Sequence, residues 1–171
     1  MWWCSPDLHM RTLHRMKIQY PAILVFCLLW VPAHAAPLAV GDAVPPIAAK
    51  DQRGAEFTFT NGIQFLLVAT ERASGTTASQ KLAEQSAGYL EKHQAAYLMD
   101  IHSMPTVIRW IAIPKMKKYP QRIVLVESAK TLASFPAQPD CVTVLTLTAA
   151  GHIKKISFWN PDKEPVEGYL K

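Results

Sequence analysis

The chain has 171 residues, half of them hydrophobic, with 18 Lys+Arg against 13 Asp+Glu, a formal net charge of +5, and 13 Pro beside only 7 Gly. So apolar a chain is not a disordered charged tail, and one this short holds a single domain of ordinary size.

In chain order, the first signal is an address. Pro21 to Val31 is a continuous apolar run preceded by Lys17 and followed by Pro32, Ala33-His34-Ala35 and Ala36. A positive region, a short apolar region and small residues before the cut are the parts of a secretory signal. They predict a signal peptide over residues 1–35, cleavage between Ala35 and Ala36, and a periplasmic or secreted product. The apolar run has eleven residues, whereas a membrane span needs roughly 20, so no stable membrane insertion is expected after cleavage. Cys27 lies inside the apolar run and the residue directly after the cut is Ala36, not a cysteine, which argues against lipidation. Trp2, Trp3, Cys4 and Asp7 make an odd preamble, and Met16-Lys17 opens a conventional signal, so translation is expected to start at Met16 (or Met10). Removing residues 1–35 takes away Arg11, Arg15, Lys17 and Asp7 and leaves 136 residues with 15 basic and 12 acidic groups, a net charge of +3. Cys141 is then the one remaining thiol, and it cannot form an internal disulfide.

Residues 36–171 show no repeat, low-complexity stretch or linker and read as one domain. Val40 to Pro46 is irregular, and Asp51-Gln52-Arg53-Gly54 is a turn into the alternating strand Glu56–Thr60. Ile63 to Ala69 is apolar enough for a central strand covered on both faces. Glu71-Arg72-Ala73-Ser74-Gly75 reads as a polar loop. Thr77 and Gln80, spaced as in a capping box, open a helix to about His93 with Leu82, Ser86, Tyr89 and Leu90 on one face. A strand Ala95–Ile101 follows. Ser103 and Pro105 then begin a helix that Pro114 closes, with Val107, Ile108 and Ile111 expected to point inward. Arg122–Val126 is a strand and Ser128–Phe135 a short helix or turn. Val142–Leu147 and Ile153–Phe158 form a hairpin whose turn suits Gly151. Val166, Tyr169 and Leu170 are placed to dock as one helical turn. This alternation predicts an α/β fold, a mixed central sheet with helices on both faces that ends in a β-hairpin.

Order and spacing together resemble the thioredoxin-like superfamily, in particular its redoxin and peroxiredoxin branch. Val40-Gly41-Asp42-Ala43-Val44-Pro45 followed by Asp51-Gln52-Arg53-Gly54 is similar to that branch's opening. Phe65–Thr70 sits where its first core strand meets the active-site loop, and Leu145–Gly151 with His152-Ile153 sits at its last hairpin, with Thr148 in place of an Asp. The resemblance implies a thioredoxin-like three-layer α/β/α sandwich over residues 36–171. More narrowly, Leu66-Leu67-Val68-Ala69, Gly88-Tyr89-Leu90-Glu91, Asp100–Pro105 and Met116–Leu125 resemble a group of small secreted proteobacterial proteins that carry the label FAD/FMN-containing dehydrogenase.

The departures decide the functional expectation. Disulfide chemistry needs a Cys-x-x-Cys pair at the helix start, where the helix terminus stabilises the attacking thiolate; here the segment is Glu71-Arg72-Ala73-Ser74-Gly75-Thr76-Thr77. The resemblance places a peroxidatic cysteine at or near Gly75, and Val142 stands where it implies a cis-proline. Without a thiolate there is no nucleophile for peroxide or disulfide. The expectation is an exported binding or accessory protein, working on a periplasmic protein or small ligand through a groove formed by Glu71, Arg72, Ser74, Gly75, Thr76, Thr77, Cys141 and Val142. The alternative is an oxidoreductase, acting through Cys141 or through a flavin. Flavin enters by the family label alone, since no Gly-x-Gly-x-x-Gly turn is present, and no cofactor is expected. Asp100 and His102 project to the same side of a strand end and are weak metal candidates, but a capped helix start explains them equally. Lys115, Lys117, Lys118 and Arg122, with Lys154 and Lys155, are solvated loop charges or an attractor for anionic lipid headgroups, a cell-wall polymer or an acidic partner. Nucleic acid is not an expected partner at net +3 with no recognition motif.

Overall fold

Leu66, Leu67 and Val68 are all fully buried. Successive side chains of a strand point to opposite faces, so the sheet must be covered on both sides at this strand. The computed structural model describes residues 36–60 and 62–171. The expected signal peptide, with Met10, Met16, Cys4 and Cys27, lies outside the described residues.

Seven strands form one mixed sheet: β1 (Ala48–Asp51), β2 (Glu56–Thr58), β3 (Phe65–Ala69), β4 (Ala95–Asp100), β5 (Ile123–Val126), β6 (Val142–Leu147) and β7 (Ile153–Trp159), in the order β2-β1-β5-β4-β3-β6-β7. The three central strands β3, β4 and β5 are parallel, and every other pairing is antiparallel. Two crossovers that step the same way across the sheet put their helices on one face, because such connections are right-handed. That face carries α1 (Arg72–Ala83), α2 (Tyr89–Lys92) and α3 (Thr106–Met116), together with the 3-10 turn Val166–Gly168. Ala78, Leu82, Leu90, Met116, Val166 and Leu170 pack there on Leu67, Tyr97 and Met99. The opposite face is thinner. Val44, Ile47, Leu132 of α4 (Ala129–Leu132) and Phe135 cover Leu66, Val68, Leu98 and Val124. The result is the three-layer α/β/α arrangement ending in the β6–β7 hairpin, whose Gly151 takes a positive φ of 80°. Residues 36–171 fall in one compact unit, and the two apolar clusters of the described residues lie between Leu38 and Leu170.

The structure departs from the sequence reading in four places. β1 was not expected, because Ala48-Ala49-Lys50-Asp51 has no β-branched or aromatic residue; it pairs on both sides, with β2 and β5. The stretch 56–60 keeps strand form only to Thr58. The helix expected from Thr77 to His93 is two helices. α1 begins at Arg72 with Glu71 as its N-cap residue, and it ends at Ala83; Gly88, at φ +76°, turns the chain before α2. The buried face of α1 is Ser74, Gly75, Ala78, Ser79 and Leu82, a helically spaced stripe of mostly small residues that lets the helix lie close to the sheet. No Thr77–Gln80 capping box forms. Finally, Pro114 lies inside α3, which starts after Pro105 without a Ser103 cap. Val107, Ile108 and Ile111 face outward, at 69%, 37% and 55% exposure, and Trp110 at 78%. The face turned in is Arg109, Ala112, Ile113 and Met116. Arg109 fixes that choice, donating to the carbonyls of Ile101, His102 and Met104 at 2.7, 3.1 and 2.9 Å.

Two buried glutamines join the layers. Gln52 Nε2 donates to Gln121 O at 2.7 Å, and its Oε1 accepts from Ile123 N at 2.8 Å. Gln121 Nε2 donates in turn to Ser86 O at 2.7 Å, beyond the end of α1. Beside them Asp51 Oδ1 accepts from the backbone of Arg53 and Ala55, and Oδ2 from Arg122 Nε at 3.1 Å. Burial alone would raise the Asp51 carboxyl, but these N–H groups and the guanidinium outweigh it and hold its pKa below the ordinary carboxylate value.

Candidate functional site

The register Val68↔Thr143 sets the end of β3 beside the start of β6. It therefore brings Thr70-Glu71 alongside Asp140-Cys141-Val142, and α1 starts at this corner. Glu71 does not bond to Arg72. Its carboxylate accepts the Asp140 N–H at 3.1 Å, across 69 residues of chain, and bridges the mouth between the two segments. Asp140 itself sits at φ +59°, a left-handed turn that Asp tolerates better than most residues. Of the eight groove candidates, Glu71, Arg72 and Thr76 are exposed and Thr77 is half-buried, while Ser74, Gly75, Cys141 and Val142 are buried.

Each buried member has a packing or hydrogen-bonding task. Ser74 Oγ donates to Glu71 O. The Gly75 carbonyl accepts from both Tyr97 Oη at 2.8 Å and Ser79 Oγ at 2.7 Å, which anchors the first turn of α1 to the middle of the sheet. A Cβ at position 75 would lie 3.2 Å from the Ala69 Cβ and 3.2 Å from the Met99 Cε. Position 75 is thus a buried contact on the underside of α1. Placing there the cysteine that the resemblance implies, Gly75→Cys, is expected to lower the unfolding free energy by about 1–3 kcal/mol through overpacking. Urea melts of the two forms check this, and equal midpoints would mean that the helix has room to spare.

Cys141 is 7% exposed. Burial pushes its thiol pKa up and the Asp140 carboxylate adds to that; Lys163 opposes them, and Glu164 and Glu71 add smaller upward effects. A reactive thiol needs the reverse, a positive and accessible surrounding that favours thiolate. The C-terminal tail supplies neighbours that sequence reasoning missed. The Tyr169 hydroxyl hydrogen-bonds the Glu164 carboxylate and also reaches Phe158 O at 3.2 Å; the Glu164 bond comes first among the causes that push the Tyr169 pKa up to about 12. Trp159 Nε1 donates to Glu164 O at 2.8 Å, fixing the tail over the end of β7. An isolated Glu in a polar tail gave no sign of this role.

Asp100 and His102 share a turn. Asp100 Oδ1 accepts the His102 backbone N–H at 2.7 Å, the local bond of a strand-to-helix turn. His93 and His152 are each bonded through Nδ1 to a backbone carbonyl, of Tyr89 and Gly41. Among the described residues no group of three His, Cys, Asp or Glu side chains is gathered as a metal site would need. On the other side of α1, Arg72, Thr76 and Ser79 face Met104, Ile108, Ala112, Lys115, Met116 and Tyr119 across a groove of 220 Å³ between α1 and α3. Arg72 and Thr76 of the expected groove thus open toward α3, away from the 139–142 turn.

No protein-family model matches the chain, and no curated protein sequence matches it. Solved structures do. The chain is similar to a peroxiredoxin-like protein from Aquifex aeolicus (TM-score 0.54, 9% identity, 80% of this chain and 86% of that one). It is also similar to a DsbE-type thiol:disulfide interchange protein from Chlorobium tepidum (0.54, 15%, 78% and 96%). A third is the thioredoxin domain of a thiol-disulfide oxidoreductase from Bacteroides vulgatus (0.52, 17%, 78% and 99%). The fold is therefore the thioredoxin-like one.

Proposed function

We propose that the chain is an exported thioredoxin-like protein without a redox centre, serving as a binding or accessory protein for a periplasmic protein or small ligand. The observation that carries this is the corner at the start of α1. There Glu71 stands at the N-cap position of α1 with its carboxylate bonded across to the Asp140 N–H, and burial, helped by nearby carboxylates, raises the pKa of the one thiol of residues 36–171. Such a corner offers hydrogen bonds and charge to a partner, and no electron pair on sulfur to a disulfide or peroxide. At this corner the exposed Glu71 is the group a ligand would meet first, while Arg72 and Thr76 open toward α3. The competing oxidoreductase reading has the fold of the solved relatives behind it, and it requires Cys141 to react or a flavin to bind.

Thiol titration and an absorption spectrum of the chain from Ala36 separate the two. Cys141 is expected to react with a disulfide reagent only when denaturant is added, and the protein to show no flavin bands. Rapid reaction in the native state, or flavin bands near one per chain, would favour the oxidoreductase. Capture of a partner from periplasmic extract, equally with and without reductant, is the positive result expected of a binding protein.

A further inference from the structure

The outer face of α3 is the least expected surface of the molecule. A helix this apolar normally turns its large side chains inward, yet Val107, Ile108, Trp110 and Ile111 are exposed and the Arg109 bonds to three carbonyls hold the helix in that orientation. The charge around it has one sign. Between Asp100 and Glu127 the chain carries Arg109, Lys115, Lys117, Lys118 and Arg122 and no acidic residue. Lys115, Lys117 and Lys118 are exposed, and none takes part in the ion pairs found among the described residues. The groove between α1 and α3 continues the apolar face inward, with Arg72 and Lys115 among its lining residues and Ile108 shared with the face itself.

We infer that this face adsorbs to a bilayer surface bearing anionic headgroups, with Trp110 and Ile111 entering the headgroup–acyl boundary and the lysines meeting the lipid phosphates. Apolar side chains with an aromatic on one face and lysines beside them is the composition of a helix that lies in the interface plane, where tryptophan is favoured. A second copy fits less well, since this face carries no acidic residue that could meet the lysines of a partner. No described helix is long and apolar enough to cross a membrane, so the contact is adsorption. The inference does not depend on the absence of a redox centre.

The test uses the chain from Ala36, the compact unit that holds both apolar clusters, and vesicles of phosphatidylcholine with and without phosphatidylglycerol. Its two tryptophans are Trp110 and the fully buried Trp159, so a solvent-dependent emission change reports Trp110. The expected result is co-sedimentation with the anionic vesicles alone and a blue shift of Trp110 on binding. Replacing three lysines, as K115E/K117E/K118E, should weaken partitioning about 100-fold or more, and Trp110→Ser about tenfold. All four positions are exposed, so these variants keep the fold. No binding, equal binding to neutral vesicles, or binding indifferent to the lysine changes would overturn the inference. So would a Trp110 emission already shifted without lipid, whether by self-association with rising concentration or by residues 1–35 in the uncleaved chain. The thiol measurements on the same preparation read the redox question separately.

Discussion

Trp159→Ala is expected to cost about 3–5 kcal/mol of stability, the range for emptying an aromatic site in a packed core. Trp159 is fully buried at the end of β7, paired in register with Val142, and shares its cluster with Val166 and Leu170 of the tail. The truncation removes that volume and also leaves the Glu164 carbonyl without its indole N–H. The loss should therefore loosen the tail over Cys141 as well as lower the denaturation midpoint, and Cys141 should become titratable at denaturant concentrations where the parent thiol is silent. Trp159→Phe keeps most of the apolar contact, and its smaller loss would isolate the hydrogen bond. A midpoint unchanged by the alanine would mean that the tail and β7 contribute little to the fold.

Gln52→Leu should cost nearly as much, although it adds apolar surface to a buried site. Gln52 is fully buried, and its amide satisfies the Gln121 carbonyl and the Ile123 N–H at once. Leucine has a similar size and neither hydrogen-bonding group. Each buried partner left unsatisfied costs roughly 1–3 kcal/mol, so a loss of about 2–5 kcal/mol is expected in urea or thermal melts. A leucine variant as stable as the parent would show that water replaces the amide.

The contrast between these residues explains what was legible in the sequence. β3, β5 and the β6–β7 hairpin are written largely in Val, Ile, Leu and Phe and β4 in Tyr97-Leu98-Met99, whose burial depends on little beyond local pattern. β1 is held by partners on both sides and carries no pattern of its own. α1 begins in what reads as a loop because its buried face is built from Ser74, Gly75, Ala78 and Ser79, and small residues register as polarity or flexibility until the sheet beneath them is known. α3 is apolar nearly all round, so periodicity could not choose its inner face; the choice is made by Arg109 reaching three carbonyls at the strand exit. Gln52, Gln121 and Glu164 look like solvated surface residues, and only tertiary contact reveals their tasks. At the candidate corner the missing cysteines were readable directly. The Glu71–Asp140 bridge was not, since it joins residues brought together only by the β3–β6 register.

The most direct measurement is reductive turnover by the chain from Ala36 with no cofactor added, followed as insulin-disulfide cleavage with a thiol donor and as peroxide consumption. With glutamate at the helix start and Cys141 buried and protonated, both rates should equal the background of the thiol donor alone. Turnover well above that background, abolished by Cys141→Ser, would contradict the account.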